Sequence, residues 1–382
     1  MPPVSQEPGQ QVLESYEKNN LWNEWSSIEM NRKNLISAGV LLFLSALTVS
    51  AIFRGNDMGA VFQAMGSQKP LYLAAAIVTA VFFVSMEGIV FCYLFRSLDY
   101  KTSLPTYLKY AFVGFFYSGI TPSATGGQPM QLYYMQKEGH KVSDSSVVLM
   151  TVAVIYKFVL VAIGVGILVL FHDPLAGYLG KYIYLYYLGL FLNTALVVFL
   201  LFIMISPKCF KGIVVGGEKI LKGFRVLKSS KERTQKLVEM ADQYHEAVLF
   251  FLNHKRKIAV AVLLTFVQRC SVFFLTYLIY KGMGLAGSNA HTVMNLQASI
   301  YIAVDMLPLP GAQGITEMMY KTAYAQVFPG AYLTASMCVT RGLNFYMLLI
   351  VSAMVAAWCH FAPKAPMAKV QECYRGIHRE DP

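Results

Sequence analysis

Six stretches of this chain are apolar for long enough to cross a bilayer as a helix, and that length fixes most of what the chain can become. They run from Asn34 to Phe53, Leu71 to Phe95, Ser145 to Phe171, Tyr182 to Ser206, Ile258 to Tyr280 and Tyr332 to His360. A hydrocarbon core about 30 Å thick takes about 20 helical residues. Within it every backbone amide and carbonyl needs an internal partner, so helices are the expected form. The alternating ten-residue strands of a barrel do not occur in the sequence. Charged residues make up 14% of the chain and apolar ones 56%, whereas soluble domains carry about 25% charge. The expected class is an all-α integral membrane protein.

The basic residues set a topology. Between Pro207 and Lys257 lie twelve Lys or Arg and five Asp or Glu, a net of +7. A loop this basic belongs on the cytoplasmic side, and its inner part (Leu237, Ala241, Tyr244, Val248, Phe251) keeps the spacing of an amphipathic helix lying on an anionic leaflet. The charge therefore points to a membrane surface rather than to nucleic acid. Residues 1–33 form a polar interfacial segment with Trp22 and Trp25, so a cleavable leader is not expected. A first membrane half spans 34–206, the basic loop 207–257, a second half 258–360, and a basic cytoplasmic tail 361–382. The cluster Tyr178, Tyr182, Tyr184, Tyr186 and Tyr187 is expected as an interfacial belt.

Two further apolar segments are too short to cross. Residues 104–136 break at Thr121-Pro-Ser-Ala-Thr-Gly-Gly-Gln-Pro129, and residues 292–327 break at Pro308-Leu-Pro-Gly-Ala-Gln-Gly314. Limbs of about 10 to 17 residues cannot span the core, and loop charges balance if each pair enters and leaves by one face. The expectation is six full crossings plus two re-entrant hairpins from opposite faces, with an inverted repeat as the corresponding symmetry. Irregular backbone at this depth needs protein or a water-filled cavity around it, and paired breaks point to a site near the midplane. Gly126-Gly127-Gln128-Pro129 echoes Gly311-Ala312-Gln313-Gly314. Each outgoing limb starts a helix whose amides and dipole attract an anion such as a lipid phosphate, with Pro129 suited to the first helical position. The plainer alternative is a pair of packing kinks.

Six charged residues fall within or beside the membrane helices: Glu87, Lys157, Arg269, Asp305, Glu317 and Arg341. Each charge near the centre costs roughly 2.5–3.5 kcal/mol on insertion scales, so these face the bundle interior. Lys157 and Arg269 either neutralise Glu87 or Asp305 or contact a ligand. Glu317 either favours the dipole of its helix or receives a ligand ammonium. Arg341, with paired guanidinium donors, is the best candidate to hold a phosphate. No metal-ligand spacing, CxxC pair, DxD pair or phosphate-binding GxxxxGK loop is present, and His140-Lys-Val-Ser-Asp144 misses HxxxxD spacing by one residue. No cofactor, metal or catalytic residue is expected, and the cysteines read as small apolar fillers.

The chain resembles the membrane domain of the lysylphosphatidylglycerol synthase/flippase (multiple peptide resistance factor) proteins. The resemblance rests on Pro122-Ser-Ala-Thr-Gly-Gly-Gln-Pro129, on Pro310-Gly-Ala-Gln-Gly-Ile-Thr-Glu317 and on Arg341, and it covers about Asn34 to His360. It implies translocation of aminoacylated or related phospholipids between leaflets of a bacterial cell membrane, supporting resistance to cationic peptides. Ala312 departs from a glycine usual in the later motif, and Tyr156-Lys157 stands where Glu-Arg is frequent. Only about 22 residues follow His360, so no synthase domain is expected. Partners then include anionic or aminoacylated phospholipids, a separate synthase, or a second copy in a homo-oligomer. The competing functions are an intramembrane lipid-modifying enzyme of the phosphatidylglycerol lysyltransferase kind and a lipid-binding recruiting subunit.

Overall fold

The computed structural model describes residues 58–121, 124–206, 248–307 and 312–361. The first apolar block, the N-terminal segment, nearly all of the basic loop, the tail and Gly311 lie outside these residues. After a short α1 (Met58–Gly66) comes α2 (Pro70–Ser97), followed by the short pair α3 (Leu104–Ile120) and α4 (Gly127–Lys137). Helices α5 (Val142–Leu179) and α6 (Ile183–Ile205) form the next arm pair. The second half runs α7 (Lys255–Gly282), a short pair α8 (Ala290–Val304) and α9 (Ile315–Ala323), then α10 (Ala331–Arg341), a π-helical turn (Gly342–Met347) and α11 (Leu348–Phe361). The described residues are all-helical outside their turns.

Helices α2 and α7 pack along their length and run antiparallel. The Lys69 amide donates to the Gly282 carbonyl at 2.9 Å, and at the other end the Lys257 ammonium donates to the Ser97 carbonyl at 3.2 Å. Midway, the buried Gln268 amide reaches the Phe83 carbonyl at 2.9 Å. Since α3–α4 follows α2 and α8–α9 follows α7, the two short hairpins start from opposite ends of the bundle. Their limbs have 17, 11, 15 and 9 residues. At 1.5 Å per residue even the longest covers only about 25 Å.

Among the described residues, four helical runs are long and apolar enough to cross a membrane, with mean hydropathies of 1.8 to 2.6. One of them, Val142–Ile205, turns at Gly180 (φ +51) into α5 and α6, across which the Tyr186 hydroxyl donates to the Gly164 carbonyl at 2.7 Å. The outer surface is apolar: on α6, Phe191 is 69%, Val198 63% and Phe202 61% exposed. A face of this kind belongs against hydrocarbon chains rather than water. The protein is integral to the membrane.

Four local expectations are corrected. The last apolar block is not one regular helix, because the π-helical turn interrupts it and turns Asn344 and Phe345 inward to buried positions. Pro129 is the third residue of α4, not the first, since the helix begins at Gly127; the position still lies in the first turn, where an amide lacks an intrahelical partner. Helix α9 ends at Ala323, short of Val327. Of the tyrosine cluster, Tyr184 is exposed but Tyr186 is fully buried, because its hydroxyl finds the Gly164 carbonyl inside the bundle.

Candidate functional site

The two breaks share one backbone feature. Ala124 (φ +54) and Ala312 (φ +49) occupy the left-handed region, and each stands three residues before the first residue of its outgoing helix. That conformation costs an alanine roughly 1–2 kcal/mol, so two such residues at matching places mark a constrained design rather than chance. The pattern Pro-x-Ala-x-Gly in Pro122–Gly126 and Pro310–Gly314 is the matching register. The echo expected from the sequence, with Gly126 set against Gly311, is displaced by three residues, because Gly126 and Gly314 are the equivalent positions before the two helices.

The glycines of the first break serve close packing. A side chain on Gly127 would come within 2.0 Å of Ser118 Oγ and 2.8 Å of the Gly114 carbonyl, and one on Gly126 within 2.6 Å of Thr121. The Gly126 amide donates to Thr121 Oγ1 at 2.9 Å. At the second break, Gly314 (φ +84) caps α9, and its amide donates to Glu317 Oε2 at 2.7 Å. These two amides are thus satisfied within the protein. Gln128 is exposed and away from the cavity. Gln313 is buried and donates to the Tyr346 hydroxyl at 3.4 Å.

Between the tips lies a cavity of about 210 Å³. This is below the roughly 300–1,000 Å³ of pockets that enclose a drug-sized ligand, and is suited to a headgroup whose chains stay outside. Ala124 and Ala312 both line it, as do Ser118 of α3 and Thr316 of α9. Three of the six candidate charges, Asp305, Glu317 and Arg341, form part of its wall. Arg341 Nε donates to Glu317 Oε1 at 2.9 Å, with the two side chains 13% and 9% exposed. The guanidinium also sits 5.0 Å from the centre of the Phe345 ring. Glu317 therefore caps its helix with one oxygen and holds the arginine with the other. Asp305 accepts from the Tyr156 hydroxyl at 2.6 Å and forms an ion pair with Lys157. Lys157 stands behind the wall.

Glu87 and Arg269 do not line the cavity. Glu87 Oε1 accepts from Gln131 Nε2 at 2.8 Å, and the same amide nitrogen lies 3.3 Å from the Tyr110 carbonyl. Gln131 reaches Glu87 by passing over Gly114, where a Cβ would stand 1.9 Å from its Nε2 and 2.5 Å from its Cδ. Gly114→Ala is therefore expected to expel Gln131 and lower the melting temperature through the loss of a buried hydrogen bond worth roughly 0.5–1.5 kcal/mol net. A wild-type melting temperature in that variant would show the latch to be dispensable. Arg269, buried, lies 3.9 Å from the Tyr156 ring centre and 4.9 Å from that of Phe83.

At the base of the first hairpin a second polar group closes the turn. His140 packs against Phe95, Tyr100, Tyr107 and Tyr110, with its Nδ1 3.2 Å from the Met135 carbonyl. Nearby, Lys109 pairs with Glu138, which also accepts from the Tyr110 hydroxyl at 2.9 Å. Burial lowers the His140 pKa below its ordinary 6.5. The unfolded chain then binds more protons than the folded one, so stability is full above about pH 6.5 and declines as pH falls toward the folded value. A melting series from pH 8 to pH 5 in detergent should show that decline, and His140→Gln should flatten it. An unchanged slope in the variant would remove His140 as its source.

Sequence reading missed several wall residues: Tyr156, Gln297, Tyr320, Thr340 and Asn344. Gln297 and Asn344 carried a legible signal, as amides within apolar helices. Asn344 is 8% exposed, and its Oδ1 has no partner within the described residues.

A helical bundle with an apolar exterior, two broken hairpins from opposite ends and a charged cavity between their tips defines a membrane protein with an internal polar site. The chain belongs to the family described as the lysylphosphatidylglycerol synthase TM region, which matches residues 34–352. Among curated proteins, none matches the sequence.

Proposed function

We propose that the protein translocates a phospholipid, an aminoacylated phosphatidylglycerol or a related lipid, between the leaflets of a bacterial cytoplasmic membrane. The observation that carries this reading is the cavity, whose wall combines the tips of both hairpins with Arg341, Glu317 and Asp305. In this reading the bundle makes six crossings, counting residues 34–53, and the two short hairpins are re-entrant from opposite faces. The basic loop puts both termini in the cytoplasm. The antiparallel pairing of α2 and α7 and the short limbs support that arrangement.

The chemistry follows from the ion pairs. A lipid phosphate entering the cavity competes with Glu317 for the Arg341 guanidinium, which offers planar paired donors. The displaced carboxylate then meets an ammonium on the same headgroup, so one zwitterionic ligand replaces one internal salt bridge. Asp305, held by Tyr156 and Lys157, supplies a second carboxylate for a doubly cationic headgroup. This exchange of partners lets a headgroup lie at depth without stranding a charge, which is the main barrier to its crossing.

The test is reconstitution. Purified protein in vesicles of phosphatidylglycerol, with an acyl-labelled lysyl-phosphatidylglycerol reporter, should make inner-leaflet reporter accessible to an impermeant quencher. Lipid recovered afterwards should be chemically unchanged. A chemically altered lipid without exchange would favour an intramembrane enzyme instead.

A further inference from the structure

Of the three carboxylates at membrane depth, two have a cation in contact: Asp305 has Lys157 and Glu317 has Arg341. Glu87 has no ion-pair partner among the described residues. Its hydrogen-bond donor is a neutral amide, Gln131 Nε2 at 2.8 Å. Conversely Arg269 has no carboxylate within ion-pairing distance among the described residues, and its buried Nε lacks a hydrogen-bond partner there. The two face each other across the α2–α7 pair. Arg269 rests near Phe83, one helical turn from Glu87 on α2. A carboxylate and a guanidinium this deep, each short of an opposite charge, are costly unless one of them changes state. Arginine keeps its proton, so the variable group is the carboxylate.

We propose that Glu87 is a proton-binding carboxylate that couples lipid exchange to the proton gradient, with Arg269 as the cation that competes with the proton for it. The proposal rests on the translocation reading above. Its ligand is the proton, and its two states are Glu87 protonated with Arg269 on the aromatic rings, or Glu87 ionised with Arg269 drawn onto it.

Both states are wired to the cavity. Gln131 belongs to the first hairpin, so a change at Glu87 acts on the grip between α2 and α4. Arg269 lies on the Tyr156 ring, whose hydroxyl holds Asp305 beside the tip of the second hairpin. Moving Arg269 to Glu87 removes a cation from Tyr156 and loosens that wall. One proton thus biases both hairpins, which a coupling device requires. On the helices packed against α2, Lys109 and the Tyr110 hydroxyl of α3 are both engaged by Glu138. Helix α3 contributes the Tyr110 carbonyl; α5 carries Tyr156, and Lys157, which Asp305 holds. The π-helical turn carries Tyr346, whose hydroxyl accepts from Gln313.

The experiment uses the full chain in the vesicles described above, with a one-unit pH gradient imposed in either direction. Wild-type exchange should differ by up to about tenfold between the two directions, and a proton ionophore should abolish the difference. Glu87→Gln, which keeps shape and acceptor but cannot ionise, should give one rate in both directions. A wild-type rate indifferent to the gradient would overturn the proposal, as would a Glu87→Gln variant that retains the directional ratio. Should wild-type protein give no exchange at all, the translocation reading fails by itself. The infrared difference spectrum of purified protein then decides on the proton site. A titrating protonated-carboxyl band lost in Glu87→Gln upholds it, and the absence of such a band overturns it.

Discussion

Arg341→Ala should reduce lipid exchange by about tenfold to a hundredfold, the loss expected when a charge-assisted bond worth roughly 1.5–3 kcal/mol is removed from a site. The variant also leaves Glu317 with a buried charge and one less partner. Removing one member of a buried pair costs on the order of 3–5 kcal/mol, here softened by the bond Glu317 keeps to the Gly314 amide. Two companion variants separate these effects. Glu317→Gln retains an acceptor for the helix cap and for the guanidinium while removing the charge, so it should destabilise less than Arg341→Ala and still lose exchange. Arg341→Lys keeps the charge but not the planar fork, and should fall between wild type and alanine. Quenching kinetics in vesicles measure all three, with melting curves in detergent run alongside. Normal exchange in both Arg341→Ala and Glu317→Gln would discard the cavity as the lipid site.

The second large effect is on packing. At Gly189 of α6, an added Cβ would lie 2.3 Å from the Ile302 carbonyl and 2.7 Å from the Ala303 Cα. Both contacts are backbone, so no flexible side chain can give way. The neighbouring Asn193 amide donates to the Gly189 carbonyl at 2.9 Å and lies 3.5 Å from that of Ile302, fixing the approach further. Gly189→Ala should therefore push α8 outward and destabilise the fold by about 1–3 kcal/mol, as overpacking does. It should also displace Asp305, which follows α8 directly. Gly166→Ala is the matched control, because nothing lies within 4 Å of its would-be Cβ. That variant should be neutral or gain up to about 1 kcal/mol from helix propensity. Equal melting temperatures for the two variants would refute the close approach.

Much of the architecture was legible because it depends on local properties. Apolar block length marked α2, α6 and α7 to within a few residues, α5 runs eight residues past the expected Phe171 to Leu179, and the limb lengths marked the two short helix pairs. The π-helical turn was not legible, since Leu343, Phe345 and Met347 suit a regular helix as well. The register of the two breaks was partly legible. Pro-x-Ala-x-Gly occurs in both, but glycine content drew attention to a different alignment. Only backbone angles at Ala124 and Ala312 distinguish the two.

The site was legible as a set of charges and not as an arrangement. Composition and hydropathy establish that Glu87, Lys157, Arg269, Asp305, Glu317 and Arg341 turn inward, because lipid solvates none of them. Which cation meets which carboxylate depends on how helices cross, 148 residues apart in the chain for Lys157 and Asp305 and 24 for Arg341 and Glu317, and no local pattern encodes that. Lys157 with Asp305 emerges only from the packing of α5 against the end of α8, and Arg341 with Glu317 from that of α9 against α10, as the path of Gln131 over Gly114 to Glu87 does from that of α2, α3 and α4. The sequence by itself determined what must be buried and where the helices break. The tertiary structure alone decided which charges are neutralised, because pairing at short range requires a geometry that only the assembled bundle supplies.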